Sequence, residues 1–156
     1  MDHRDRLGHA SLRRGRCSTV GRVYLVTTAT RGREPVFADA RAAQAVVGLH
    51  ADATAFLDAS VWCWVLMPDH WHGLVRLAER HDLSQVMQRF KSRSGWLVNR
   101  ALGRCGGLWQ PAFHDRTLRD RASCDAAVRY ILDNPVRAGL CSTRDAYPWS
   151  GNSWNA

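Results

Sequence analysis

The sequence predicts an α+β domain in which helices pack on a mostly antiparallel sheet. Segments rich in β-branched residues alternate with segments of helical periodicity in the order β-α-β-β-α-β-α. The two central strands are separated by only the dipeptide Pro-Asp, which favours a tight turn between antiparallel neighbours. The chain has 156 residues, 46% of them hydrophobic, and is therefore long enough for one domain with its own core.

The first half of the chain contains three predicted strands and one helix. Residues 1–21 carry clustered arginines and little periodicity, which predicts a basic N-terminal arm. Residues 23–30 are rich in β-branched side chains and predict a strand. Alanine, valine and leucine recur at helical spacing over residues 38–57, which predicts a helix. Residues 61–67 and 70–77 predict the two strands of a hairpin.

The second half contains a long helix, an extended segment and a shorter helix. Asp82 and Gln85 have the spacing of a capping box at the start of the long helix. Its predicted apolar stripe consists of Leu83, Val86, Met87, Phe90, Leu97, Val98 and Ala101. Pro111 favours an edge strand or irregular backbone in the extended segment. The last helix is predicted over residues 123–133, because Pro135 limits its continuation.

The charge of the chain suggests the chemistry of a partner. The formal net charge is +8, and of the 22 basic residues only Lys91 is a lysine. The planar guanidinium group suits phosphate oxygens and stacks on aromatic rings, which favours a polyanionic partner. A generally cationic surface from an arginine-rich genome is the alternative, and composition alone does not decide between the two.

Cysteine usage and hydropathy indicate the compartment. The five cysteines include no C-x-x-C pair, and the polar N-terminus lacks the apolar core of a secretory signal. No apolar run approaches the roughly 20 residues that span a bilayer. We therefore expect reduced thiols, no membrane association and a cytoplasmic protein. The predicted organisation is an arm at residues 1–21, a domain at residues 22–150 and a tail at residues 151–156.

Two histidines lie one residue apart in the segment M-P-D-H-W-H-G-L-V. Alternate side chains of a strand share a face, so His70 and His72 stand side by side while Trp71 points into the opposite layer. Two such imidazoles can converge on one metal ion. An H-x-H pair is only moderately specific, and two surface or hydrogen-bonded histidines remain the alternative.

The last predicted helix carries a tyrosine outside its apolar stripe. The stripe consists of Cys124, Ala127, Val128, Ile131 and Leu132. Tyr130 lies off this stripe, and Asn134 follows one turn later on the same flank. A tyrosine that served only as core filler is expected within the stripe, although an exposed tyrosine half-packed on a neighbouring element is also common.

Taken together, three motifs resemble those of the single-tyrosine HUH transposases of the IS200-like family, and within it the REP-associated branch. The motifs are M-P-D-H-W-H-G-L-V, W-Q-P-A-F-H-D-R and R-Y-I-L-D-N-P-V-R-A-G-L. The resemblance runs from about Leu12 to Ser150 and includes the closing Y-P-W-S. It implies a ferredoxin-like antiparallel sheet with helices packed on it, the HUH endonuclease fold.

The resemblance also assigns roles. It implies that His70, His72 and Asn134 hold a divalent metal, Mg²⁺ or Mn²⁺, and that Tyr130 is the nucleophile; the Asn134 assignment is the weaker one, because some relatives have glutamine there. The implied activity is cleavage and transfer of single-stranded DNA through a covalent phosphotyrosyl intermediate, on hairpins of repetitive extragenic palindromes (REPs). We expect a monomer or homodimer. His114 is a possible auxiliary group, although a structural hydrogen-bonding role is its alternative.

Other residues are predicted to hold DNA. A basic face on the long helix, interrupted by an aromatic ring, suits backbone contacts and base stacking, and consists of Arg89, Arg93, Trp96 and Arg100. A solvated helix face is the alternative. Further phosphate contacts are expected from Arg13, Arg14, Arg16 and Arg137.

Two other functions are compatible with parts of this sequence. A non-catalytic DNA-hairpin-binding protein could retain the same fold. A metal-dependent hydrolase of small molecules could also use an H-x-H pair. The hydrolases of this kind that are built on an eight-stranded barrel need a longer chain, and this sequence lacks a plausible set of further histidine and acidic ligands.

Overall fold

The centre of the molecule is one antiparallel sheet. The structure is a computed structural model and describes residues 21–155. The strands are β1 Val23–Ala29, β2 Ser60–Met67, β3 His70–Arg76, β4 His114–Leu118 and β5 Ser150–Asn152. Their order in the sheet is β4-β1-β3-β2-β5. The α-helices of the described residues are α1 Ala40–Val47, α2 Leu83–Leu102 and α3 Arg121–Arg137. Short 3-10 helices lie at Arg31–Arg33, Val36–Ala38, Gly48–Ala51 and Arg144–Ala146.

The helices cover both faces of the sheet. Alternate residues of β3 enter two separate cores: Trp71 and Val75 pack with Phe90 of α2, whereas Leu74 packs with Ile131 of α3. Helix α1 lies beside α2 on the first face. The order β1-α1-β2-β3-α2-β4 with both helices on one face is a ferredoxin-like arrangement. The predicted α+β class is therefore confirmed, and α3 forms an additional layer on the second face.

The predicted hairpin of β2 and β3 is present, with Pro68 and Asp69 as its two-residue turn. The Phe37 N–H donates to the Pro68 carbonyl at 2.9 Å. The Thr30 hydroxyl donates to the Asp69 carbonyl at 3.0 Å. Both bonds hold the turn against the segment that follows β1, so the start of β3 has a fixed position.

Strand β3 is anchored from below by its tryptophan. Trp71 is fully buried in the first core, as predicted. Its indole lies directly against Gly73, where an added Cβ would come within 1.9 Å of the ring. Glycine is therefore required at this position, because any larger side chain would displace the indole that fixes the strand.

Helix α1 is shorter than the sequence predicts. It is capped by Asp39 and ends at Val47, rather than extending to residue 57. After the 3-10 helix Gly48–Ala51, the Asp52 carboxylate accepts a hydrogen bond from the Thr54 backbone N–H at 2.8 Å. This local turn competes with helix formation, although the apolar spacing continues through it.

Helix α3 is longer than predicted, because it continues through Pro135 to Arg137. Pro135 lies in the last turn and is buried. The Ala138 N–H still donates to the Asn134 carbonyl at 3.0 Å, which closes the helix. The restriction on residues that precede proline is a bias that packing can overcome. Asn134 is consequently helical and lies one turn after Tyr130.

The fold continues beyond residue 150, the predicted end of the domain. Strand β5 pairs with the β2 edge of the sheet, and Trp154 packs against the second core. Ala101, predicted for the α2 stripe, is exposed, and Ser94 occupies a buried position on that helix instead. None of the helices within residues 21–155 combines the length and the apolar character needed to cross a membrane.

The buried imidazole of His50 makes stability depend on pH. Its ring stacks on Trp64 with a centroid separation of 3.8 Å and accepts a hydrogen bond from the Trp71 indole N–H at 3.2 Å. Burial lowers the pKa of His50 from 6.5 to about 4, and nearby backbone carbonyls offset this only in part. Between these values the unfolded chain binds more protons than the folded chain, so stability is lost as the pH falls below 6.5.

We expect the His50→Gln variant to lose less stability on acidification than the wild-type protein. Glutamine keeps an acceptor for Trp71 but does not titrate. The free energy of unfolding, measured with urea, should fall between pH 7 and pH 5 by about 2 kcal/mol more in the wild-type protein than in the variant. An equal loss in both proteins would assign the acid sensitivity to other groups.

Candidate functional site

The two histidines of β3 form a pair on the face of the sheet that α3 covers. Their ring centroids lie 4.7 Å apart and the rings are nearly perpendicular, at 84°. The Nδ1 atom of His70 lies 2.6 Å from the Asp69 carboxylate, and Nδ1 of His72 lies 2.7 Å from the Thr27 hydroxyl. The carboxylate can only accept from His70 Nδ1, and the Thr27 hydroxyl can accept from His72 Nδ1; in the tautomers in which both Nδ1 atoms donate, each Nε2 carries the lone pair that a metal ion requires.

Burial keeps His72 in its neutral form. The residue is 5% exposed. Burial is the largest cause that lowers the pKa of His72 to about 3, and the nearby charges of His70 and Arg33 act in the same direction, whereas Asp69 opposes them. A neutral imidazole needs no deprotonation before it binds a metal, so His72 is ready to act as a ligand at neutral pH.

Helix α3 brings Tyr130 to this pair. The Tyr130 and His72 ring centroids lie 5.4 Å apart at an angle of 73°. The helix buries its predicted stripe against the sheet, whereas Tyr130 is 40% exposed. The guanidinium carbon of Arg137 lies 5.7 Å from the Tyr130 ring centroid. The Tyr130 ring therefore contacts His72, one member of the pair, and remains open to solvent beside a cation.

A third ligand for an ion held by the two histidines would have to be of a different type. Within residues 21–155 no three histidine, cysteine or acidic side chains are grouped so that they could hold a metal ion. Asn134 is half-buried, and its side-chain N–H donates to the Tyr130 backbone carbonyl at 3.3 Å. Its amide oxygen is not used in that bond. Two imidazoles and an amide oxygen form a donor set that suits Mg²⁺ or Mn²⁺.

The structure separates the predicted DNA-binding helix from this site. The residues Arg89, Arg93, Trp96 and Arg100 lie on α2, which covers the opposite face of the sheet. Arg93 is engaged by the Asp52 carboxylate at 2.6 Å. Trp96 is 59% exposed, with the Arg100 guanidinium carbon 5.2 Å from its ring centroid.

Of the remaining predicted site residues, the structure describes His114 but not the three arginines of the N-terminal arm. His114 is exposed at the start of edge strand β4 and pairs in register with Thr27, which in turn pairs with His72. It therefore shares the face of the site but lies two strands away. Arg13, Arg14 and Arg16 lie outside the described residues.

Sequence reasoning missed the two groups that orient the histidines. Asp69 directly precedes His70 in the turn, and this adjacency was a usable signal. Thr27 lies 45 positions from His72, and only the pairing of β1 with β3 brings them together. Such partners hold an imidazole in one orientation and one tautomer.

We expect Thr27→Val to weaken metal binding. Valine has nearly the shape of threonine but leaves Nδ1 of His72 without a partner. The concentration of Mn²⁺ that half-saturates the protein in calorimetric titration should rise about 10-fold to 100-fold. Thr27→Ser retains the hydroxyl and should behave as the wild-type protein. Equal Mn²⁺ affinities for the valine and serine variants would exclude this role.

Comparisons with known proteins identify the family of the chain. The family model described as "Transposase IS200 like" matches residues 20–134, more than half of the chain. The chain is 30% identical over 89 residues to the REP-associated tyrosine transposase of Escherichia coli (strain K12). A Haemophilus influenzae relative is 28% identical over 95 residues. The matches cover 50% and 54% of these two proteins, so the chain spans about half the length of the curated relatives it matches.

The fold is similar to that of a solved structure described as a REP-associated tyrosine transposase bound to a REP hairpin. The TM-score is 0.67, and the match covers 86% of this chain and 79% of the other. Sequence identity is 24%, so this likeness concerns the fold.

Proposed function

Because the chain belongs to the IS200-like transposase family, we propose that it cleaves and rejoins single-stranded DNA through a covalent bond to Tyr130. The observation that carries this proposal is the contact between the Tyr130 and His72 rings on a solvent-open face. A phenol that served only to fill the core would lie within the apolar stripe of α3.

The proposed reaction is an exchange of phosphoester bonds. The Tyr130 oxygen attacks the scissile phosphorus, the bond from phosphorus to the 3′ oxygen breaks, and the phenolic proton finally resides on the released 3′-hydroxyl. The products are a 5′-phosphotyrosyl strand and a free 3′-hydroxyl. The reverse attack by a 3′-hydroxyl rejoins the strand without a nucleotide cofactor, because the phosphoester bond energy is retained in the tyrosyl ester.

The residues of the chain prepare this exchange. His70, His72 and Asn134 would hold a divalent ion, which supplies positive charge for the scissile phosphate. Asp69 and Thr27 fix the two imidazoles, and burial keeps His72 neutral. Arg137 lies beside the Tyr130 ring and would contact phosphate near the attacked bond.

The proposed substrate is a DNA hairpin with single-stranded flanks, such as those of repetitive extragenic palindromes. The relatives named for these elements support this choice, as does the net charge of +8. Exposed Trp96 and Arg100 on α2 would add stacking and phosphate contacts on the far side of the sheet. His114 would act at most as an auxiliary group on the near side.

The test is incubation of the protein with hairpin oligonucleotides that carry single-stranded flanks, with and without Mn²⁺. We expect a labelled protein–DNA adduct that survives denaturation and forms only with Mn²⁺. Hairpin binding without any adduct would instead support the non-catalytic hairpin-binding function. Absence of both binding and adduct on every hairpin would contradict both functions.

A further inference from the structure

A groove lies on the α3 face of the sheet, at the end opposite to the histidines. We call it the distal groove; its volume is about 690 Å³, and its lining includes Arg22, Trp62, Arg119, Arg121 and Trp154. Strand pairing fixes its place, because β1 begins opposite Arg76 and ends opposite His70. The groove is thus separate from the site described above, although α3 borders both.

A β-bulge turns one tryptophan into the groove. Val61 pairs with Val75 and Cys63 pairs with Leu74, so Trp62 is an extra residue between two paired positions. As a result Trp62 and Cys63 both pack on the α3 face, although neighbours in a regular strand alternate. The bulge re-aims the indole toward the groove.

Two guanidinium groups flank a pair of neighbouring indoles at the groove. The guanidinium carbon of Arg76 lies 5.7 Å from the Trp62 ring centroid, and that ring lies 5.0 Å from the ring of Trp154. The guanidinium carbon of Arg121 lies 5.7 Å from the Trp154 ring centroid. The Trp154 N–H donates to the Asp125 carboxylate at 2.7 Å. The Trp154 indole is therefore held in place by a hydrogen bond before any ligand arrives.

The charges around the groove favour an anionic ligand. Arg22 and Arg119 are exposed, and neither forms an ion pair with any residue of the range 21–155. The carboxylate of Asp120 is used to cap α3, where it accepts the Ser123 N–H at 2.7 Å. Anchoring of the C-terminal segment accounts for the contacts of Trp154, but it does not account for Arg22 and Arg119, which have no acidic partner among the described residues 21–155.

We propose that the distal groove binds a second segment of the DNA strand that Tyr130 attacks, and this proposal rests on the proposed function. Indoles stack on bases and arginines contact phosphates, the combination that holds single strands with little sequence preference. From Arg121 to Tyr130, α3 rises roughly 14 Å. One substrate strand would lie along α3, with its reacting phosphate at Tyr130 and a base of its flank on Trp154.

The experiment measures binding of labelled hairpins by the 156-residue chain, without metal, as the flanks are lengthened on the 5′ or the 3′ side. The wild-type affinity should rise once one flank is long enough to reach the groove. Arg119→Gln should remove most of that rise and reduce the slope of log affinity against log salt by about 0.7. Trp154→Leu should weaken long-flank binding about 10-fold.

The controls separate this proposal from the proposed function. Arg41→Gln removes the same charge on α1, across the sheet, and should keep the full flank-dependent rise. Because binding is measured without metal, a failure of catalysis leaves the flank dependence readable. An affinity that does not depend on flank length would overturn the proposal, as would an Arg119→Gln variant that loses the same affinity for short-flank and long-flank hairpins. Thermal unfolding of Trp154→Leu shows whether its loss of affinity reflects misfolding.

Discussion

Tyr130→Phe should form no covalent adduct with a DNA hairpin, while it still binds that hairpin. Phenylalanine keeps the ring that contacts His72 but removes the oxygen that bonds to phosphorus. Loss of a nucleophile from a preorganised site lowers the rate by a factor of about 10³ or more. Denaturing electrophoresis with labelled DNA and Mn²⁺ measures the adduct, and fluorescence anisotropy measures binding.

The matched control is Tyr147→Phe. The Tyr147 hydroxyl donates to the Leu66 carbonyl at 2.7 Å, and burial raises the pKa of this phenol to about 12. Loss of the Tyr147 hydroxyl and its hydrogen bond should cost about 1 kcal/mol of stability and leave the yield of adduct unchanged. If the Tyr130→Phe protein still formed an adduct and the Tyr147→Phe protein did not, the nucleophile would have been assigned to the wrong tyrosine.

His72→Ala should lower the rate of adduct formation about 100-fold or more, because the site loses one of its two imidazoles. Removal of metal with EDTA should lower the wild-type rate to a similar extent. If both changes act on one ion, EDTA should have little further effect on the variant. Single-turnover rates of adduct formation with a labelled hairpin, with and without EDTA, measure all four combinations.

His81→Ala is the corresponding control. His81 lies beyond the far end of β3, where its Nδ1 is 2.7 Å from the Asp58 carboxylate. The variant should keep the wild-type rate and its dependence on metal. Independent, additive effects of His72→Ala and EDTA would show that His72 acts in some way other than holding the ion.

The sequence was most informative where local periodicity decides the structure. Alternation along β3 predicts that His70 and His72 share a face, and helical spacing predicts that Tyr130 leaves the apolar stripe; the geometry confirms both. To predict these features, only the periodicity of one strand or one helix is needed. The same residues lie within the motifs that resemble those of the transposase family.

Long-range pairing and packing explain what the sequence could not predict. Thr27 meets His72 only through the register of β1 and β3, and the bulge at Trp62 leaves no pattern in a single strand. The basic face that contains Trp96 was predicted from the periodicity of α2 alone. Its distance from the histidines could not be predicted, because the side of the sheet that a helix covers depends on the whole topology. The predicted end of α1 was wrong, because a turn formed by Asp52 interrupts the segment although its apolar spacing continues.

Helix α3 rests on the same sheet that carries the histidines, so the Tyr130 ring meets the His72 ring within one polypeptide. No second molecule has to be recruited before the phenol meets its histidine partner. For the proposed reaction, bringing the Tyr130 ring to His72 would then not depend on the concentration of the protein, although binding of the DNA still would.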